Sequence, residues 1–218
     1  MPDRLNRWAT RPLGELCDAS RGITYGIVKV GNFVPDGIPV VRGGDIRDNR
    51  VVHDNEKRVS REVSDQFKRT LLRGGEIVLN LIAEPGHCAV VPASMAGCNV
   101  SRDVAVIPLL DCVDHTFVNY FLKSPGAIRW LNARLQGSVT QKINLGTLRE
   151  IPVPIPPRPV QEAIASVLGT LDDKIVANGR LTYLLDELWL SEMAQVLDGG
   201  CFFLRDVLFP GVLVMRRG

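Results

Sequence analysis

Five consecutive residues, Ser138-Val139-Thr140-Gln141-Lys142, set two hydroxyls, a side-chain amide and a cation on a stretch with no hydrophobic pattern. Hydroxyls and ammonium groups hold phosphate oxygens, and an amide reads adenine through paired hydrogen bonds. The turn Thr24-Tyr25-Gly26 with Lys29 is a second group of this kind. Arg42, Arg73 and Arg102 add guanidinium forks suited to phosphate or guanine. The candidate contacts are therefore Thr24, Tyr25, Lys29, Arg42, Arg73, Arg102, Ser138, Thr140, Gln141 and Lys142. For each arginine the ordinary alternative is a surface ion pair, as between Arg102 and its neighbour Asp103.

Catalytic patterns are missing. The chain has no GxGxxG, Walker loop, GxSxG or HExxH. Asn80-Leu81-Ile82-Ala83-Glu84-Pro85-Gly86 does not match the Asn/Asp-Pro-Pro-aromatic pattern of an amino-methyltransferase. A nuclease needs clustered carboxylates with a lysine, and Arg58 stands where that lysine is wanted after Asp36 and Glu56. Asp172-Asp173-Lys174 falls inside a helical pattern and reads as a solvated face. His87, Cys88, Cys98 and His115 fit no zinc spacing, so no metal is expected.

The elements that must carry these residues follow from composition and pattern. At 218 residues, 45% hydrophobic and 23% charged, the chain suits one sizeable domain with an appendage. Its five cysteines show no CxxC pair and read as reduced thiols. No apolar run approaches the ~20 residues of a membrane helix, and Met1 to Thr10 lacks a signal-peptide core. Residues 1–150 hold 20 Lys and Arg against 16 Asp and Glu, and the remainder 6 against 8. A mildly basic domain followed by a mildly acidic segment suits a polyanionic partner for the former.

Short Val- and Ile-rich runs predict strands over Ile38–Val41, Glu76–Ile82, Cys88–Val91 and Val104–Pro108. Ser60–Thr70 reads as a helix capped by Ser60, and Asp114 opens another. Ser124 with Pro125 opens a third that stops at Gly137, and Asn144 caps a short one over Leu145–Arg149. The fold class is mixed α/β, followed by one long helix.

Five prolines between Pro152 and Pro159 predict an extended strut. Beyond it, 160–197 is free of proline. Ile164, Leu171, Asn178, Leu185 and Glu192 form one heptad row, and Leu168, Ile175, Thr182, Trp189 and Val196 form its partner. Such a face resembles a coiled-coil seam, with Asn178 as a register-setting polar residue. At ~1.5 Å per residue the segment spans roughly 57 Å, and its stripe calls for another helix. The expected interface residues are Ile164, Leu168, Leu171, Ile175, Asn178, Leu185 and Trp189.

Several segments together resemble a known family. They are WATRPLGELC (Trp8 to Cys17), Gly22-Ile23-Thr24-Tyr25-Gly26 and Pro39-Val40-Val41-Arg42-Gly43-Gly44-Asp45-Ile46. Asn99-Val100-Ser101-Arg102-Asp103-Val104, the Gly137 to Leu145 loop and the proline segment continue the match. Gln161, Ile164-Ala165 and Leu168-Gly169-Thr170-Leu171-Asp172-Asp173-Lys174-Ile175 with Asn178 complete it. This chain resembles the specificity (S) subunits of type I restriction–modification enzymes over about residues 8–197.

The resemblance implies a non-catalytic subunit that reads double-stranded DNA through a target recognition domain. It implies docking to a methyltransferase (M) subunit and a restriction/translocase (R) subunit in a prokaryotic cytoplasm. S-adenosylmethionine, ATP and Mg²⁺ would belong to those partners, with no cofactor in this chain. The expected domains are a recognition domain over 1–151, a strut over 152–159, a spacer and dimerisation helix over 160–197 and a tail over 198–218. In that tail Phe203-Leu204-Arg205-Asp206-Val207-Leu208 resembles Pro12-Leu13-Gly14-Glu15-Leu16-Cys17, as the start of a second repeat. The family pattern has two recognition domains and two helices. A half-length form with one of each implies a homodimer with antiparallel helices. The competing readings are a coiled-coil scaffold that does not bind DNA, and a self-contained nuclease or methyltransferase.

Overall fold

In the computed structural model, residues 8–31, 33–47, 49–52, 57–82, 85–135 and 141–198 are described. They form a mixed α/β domain followed by a long C-terminal helix. The chain divides into two compact units, 1–166 and 167–218.

The first unit is built on a four-stranded antiparallel sheet in the order β2 (Thr24–Tyr25), β10 (Val104–Ile107), β7 (Ile77–Asn80) and β8 (Cys88–Val90). Strands β7 and β10 are buried at every position, because both faces of the sheet are covered. Ile77, Leu79, Ala105 and Ile107 face a cluster with Phe117, Val118, Leu122, Ala127 and Leu131. Those residues come from α2 (His115–Leu122) and α3 (Pro125–Asn132). Val78, Val104 and Val106 face a second cluster with Val41, Ile46, Leu72 and Val100. Strands covered on both sides read as unbroken apolar runs rather than alternating ones.

A three-stranded sheet in the order β6 (Arg58–Val59), β3 (Ile38–Val41) and β9 (Asn99–Val100) lies alongside, with β3 and β9 parallel. A small hairpin, β4 (Ile46–Arg47) and β5 (Arg50–Val51), follows β3. The caps sit where the sequence puts them. Asp114 Oδ1 accepts the Phe117 N–H at 2.8 Å, Ser124 Oγ accepts that of Ala127, and Asn144 Oδ1 accepts that of Gly146. The last opens α4 (Leu145–Glu150).

Four expectations change. The helix expected over Ser60–Thr70 is only α1 (Arg61–Asp65), followed by a 3₁₀ turn at Lys68–Thr70. Its interruption lets buried Asn99 bond to both pieces: Thr70 Oγ1 donates to Asn99 Oδ1, and Asn99 Nδ2 donates to Ser64 Oγ.

The segment expected as an extended strut over 152–159 is extended in its first half, but there it is a strand, β11 (Pro152–Ile155), paired antiparallel with β1 (Ala9–Pro12). Pro12 faces Pro152 and Thr10 faces Pro154. Proline lacks an N–H, so the hydrogen-bonded pairs are Arg11 with Val153 and Ala9 with Ile155. Alternate prolines are thus compatible with an edge strand. Val153 is fully buried in the first core cluster.

The long helix α5 (Arg158–Asp198) begins two residues before the expected start at 160. Pro159 lies in its first turn, where no amide is needed, and the Pro157 carbonyl accepts the Val160 N–H at 2.8 Å. Ala165 is buried in the domain core and Ile164 packs beside it. Ile164, expected in an interface with another helix, therefore belongs to the domain.

The second unit begins within α5 at Val167. Leu168 is half-buried, whereas Leu171, Ile175, Asn178, Leu185 and Trp189 are exposed. Ile175 is 68% exposed and Leu185 55%, so the heptad face is an open apolar stripe. The tail from 199 to 218 lies outside the described residues.

Candidate nucleic-acid interface

One end of the four-stranded sheet gathers most of the sequence-predicted contacts. There β7 ends at Asn80, opposite Val104 at the start of β10, and the Leu81 N–H donates to Asp103 O at 2.7 Å. Three segments fold back onto this end. The chain after β2 runs beside β9: Ile27 N–H donates to Val100 O, and Arg102 N–H to Ile27 O, at 2.8 and 2.9 Å. That approach requires glycine at 26, since a Cβ there would stand 1.9 Å from Val100 O. The turn Gly43–Asp45 arrives next, with Gly43 N–H donating to Asp103 Oδ2 at 2.8 Å. Finally Lys142 bridges Ile82, and Ile143 N–H donates to Leu81 O at 2.9 Å. Tyr25, Lys29, Arg42, Arg102, Gln141 and Lys142 thereby come from separate parts of the chain to one edge, with Thr24 leading into it.

The charge at this edge is unbalanced for a structural reason. Asp103 accepts hydrogen bonds from the Gly43 N–H and the Ser101 hydroxyl. Asp45 accepts the Arg42 N–H at 2.8 Å. Both carboxylates hold the backbone of the turn. Arg102 makes no ion pair with adjacent Asp103, and it has no hydrogen bond through its side chain among the described residues. The same holds for Lys29 and Lys142, and all three are exposed. Gln141 is exposed beside Lys142. An edge of this kind offers cations and an amide to a polyanion that carries its own hydrogen-bonding edges.

Arg73 is not part of this group. It precedes β7 at the opposite end of the sheet, where its N–H donates to Glu76 Oε1 at 2.9 Å. Glu76 in turn forms a buried ion pair with Arg21 at 2.6 Å. Ser138 and Thr140 lie outside the described residues. Sequence reasoning missed Arg47 and Arg50, exposed on the β4–β5 hairpin directly after the Gly43–Asp45 turn. Two short runs, Ile46-Arg47 and Arg50-Val51, separated by Asp48-Asn49 are the signal that exposes them.

Burial pushes the Cys17 and Cys88 thiols up to about 12, which keeps them protonated. The Cys88 thiol donates to Asn119 O at 3.8 Å, while His115 Nδ1 lies 2.5 Å from Gly75 O, so the two are held by different elements. Among the described residues no group of three or more His, Cys, Asp or Glu side chains is placed to hold a metal ion. No helix among them is long and apolar enough to cross a membrane.

Comparison with known proteins gives a consistent family. The family described as "Type I restriction modification DNA specificity domain" matches residues 6–183. The Escherichia coli type I restriction enzyme EcoBI specificity subunit is 28% identical over 150 residues, covering 68% of this chain and 31% of that one. A solved chain from a type I R-M system superposes with a TM-score of 0.62 at 20% identity, over 90% of this chain and 45% of that one. The type I restriction–modification S subunit from M. genitalium does so with a TM-score of 0.56 at 20% identity, over 84% and 43%. This chain thus spans about a third of the curated relative and under half of the solved ones.

Proposed function

Because the chain belongs to the type I restriction modification DNA specificity domain family, we propose that it is the sequence-reading subunit of a type I restriction–modification assembly. It binds double-stranded DNA and catalyses nothing itself. It docks the methyltransferase and restriction/translocase subunits in a prokaryotic cytoplasm, and S-adenosylmethionine, ATP and Mg²⁺ belong to those partners. The observation that carries the reading is the sheet edge where Asp103 and Asp45 are engaged by backbone amides while Lys29, Arg102 and Lys142 stay exposed. Cations there hold phosphates and Gln141 reads a base edge, with Thr24, Tyr25 and Arg42 beside them. Arg73, at the far end of the sheet, serves a different surface.

Recognition rests on residues up to Ser166, and the rest of α5 is the spacer. Its open stripe of Leu171, Ile175, Leu185 and Trp189 pairs antiparallel with the same stripe of a second copy, and Asn178 sets the register. A two-fold pair of recognition domains reads a split site with equal half-sites. The test is selection of bound sequences from random duplex DNA by the chain with its methyltransferase subunit, repeated over a salt series. A symmetrical split motif with steeply salt-dependent affinity is expected. Binding without sequence preference overturns the reading. A pure monomer in sedimentation, even with the methyltransferase subunit present, overturns the paired form.

A further inference from the structure

The β4–β5 hairpin places two guanidinium-bearing residues directly opposite each other. Ile46 pairs with Val51, and Arg47 pairs with Arg50. Ile46 is buried in the second core cluster and Val51 packs against it. Alternation along the strands therefore turns Arg47 and Arg50 to the other face, where both are exposed. Residues directly opposite in an antiparallel pair hold their Cβ atoms about 4.5–5.5 Å apart, and like charges there oppose the pairing. Nothing in a two-residue hairpin connection demands arginine on both sides.

The surroundings leave the guanidinium groups open to a ligand. Arg47 Nε donates to Gly44 O at 2.5 Å, which braces one prong against the Gly43–Asp45 turn. Gly44 is exposed with nothing within 4 Å of where a Cβ would stand, so the space over the turn is open. The Arg50 guanidinium has no hydrogen bond or ion pair among the described residues. The turn they flank is the one that Asp103 holds at the interface edge.

We propose that Arg47 and Arg50 form a two-pronged clamp on a single backbone phosphate of the DNA. The proposal rests on the DNA-reading function argued above. One phosphate diester between two guanidinium groups attracts both, which outweighs their mutual repulsion, and it accepts hydrogen bonds from both. A base edge carries no net charge and leaves the repulsion in place. The clamp therefore positions the duplex and leaves sequence reading to other side chains.

Arg47→Gln, Arg50→Gln and the double variant, in the full chain with its methyltransferase subunit, test this in two ways. The first is the slope of log affinity against log salt, where each neutralised phosphate contributes about 0.9. A shared phosphate predicts that the double variant loses about one unit of slope, on specific and random DNA alike. A loss of about two units, or none, overturns the shared clamp.

The second readout needs no DNA: melting of the chain in sodium chloride and in sodium phosphate at equal ionic strength. The unaltered chain should gain stability in phosphate. Phosphate stabilises any folded chain to some degree, so the single variants should gain less in it than the unaltered chain, and should melt higher than that chain in dilute chloride. Identical phosphate gains in all variants overturn the clamp, even if the chain proves not to bind DNA. Sequence-specific binding that survives in the double variant with its slope intact overturns the clamp while leaving the DNA reading in place.

Discussion

Gln161 Oε1 accepts the backbone N–H of Asp114 at 2.9 Å, joining the first turn of α5 to the residue that caps α2. The Gln161 amide also donates to Pro156 O at 2.8 Å, and the side chain is only 2% exposed. Arg158 adds an ion pair to Asp114 at 3.5 Å and a hydrogen bond to Asp111 O at 3.0 Å. The start of the helix is thereby fixed to the domain by the buried Gln161 amide and by the partly exposed Arg158. Gln161→Leu leaves the Asp114 N–H and the Pro156 carbonyl without these partners, which costs ~1–3 kcal/mol. Urea unfolding of the full chain checks this, and an unchanged midpoint would refute it.

Two glycines near the interface edge separate tight packing from open space. Gly26→Ala drives a Cβ into Val100 O and should destabilise the chain by ~3 kcal/mol. Gly44→Ala meets nothing and should stay within ~0.5 kcal/mol of the original. Thermal melts of the two variants side by side decide the point.

Gln141 and Lys142 are adjacent and exposed, and the proposed DNA reading gives them different roles. Gln141→Ala should relax selectivity at one base pair, by ~1–3 kcal/mol. Lys142→Ala should weaken binding to all sequences alike and lower the salt slope by about 0.9. Competition binding against single-base variants of the selected site distinguishes these outcomes, and no change in either variant removes this segment from the interface.

The apolar stripe of α5 makes its own prediction. Ile175 and Leu185, 68% and 55% exposed, are replaced together by Glu. The double variant should sediment as a monomer under conditions where the unaltered chain forms a dimer. A dimer that persists places the contact elsewhere.

Cys17 and Cys88, pushed to about 12 by burial, keep their protons in the folded chain well above the ordinary thiol value of 9.0. The unfolded chain binds fewer protons between those two values. The stability they contribute is thus present below about pH 9 and is lost as pH rises toward 12. At pH 8 a thiol reagent should modify exposed Cys112 first and reach Cys17 and Cys88 only on unfolding. Peptide mapping of modified cysteines tests the order.

Much of the fold was legible because local chemistry and tertiary packing agree. The run at Val104–Ile107 is apolar throughout because it is buried at every position, on both faces. The caps at Asp114, Ser124 and Asn144 need only their own helices. The proline segment misled because proline's effect on one strand edge depends on a partner strand some 140 residues away, which local pattern does not reveal. Ile164 misled because the heptad pattern continues through a turn that the domain core claims.

The interface edge is harder still. Lys29, Arg42, Arg102 and Lys142 are far apart in sequence and meet only because β2, β7, β9 and β10 are ordered as they are. Arg73 is of the same residue type, but strand direction sends it to the other end.

The pairing of β1 with β11 makes the polypeptide enter and leave the recognition unit side by side, with Ala9 opposite Ile155. Everything between Pro12 and Pro152 is then a closed cassette on a two-stranded base. Any replacement of that insert must keep Asp111 and Asp114, the partners of Arg158 and Gln161, for α5 to begin where it does.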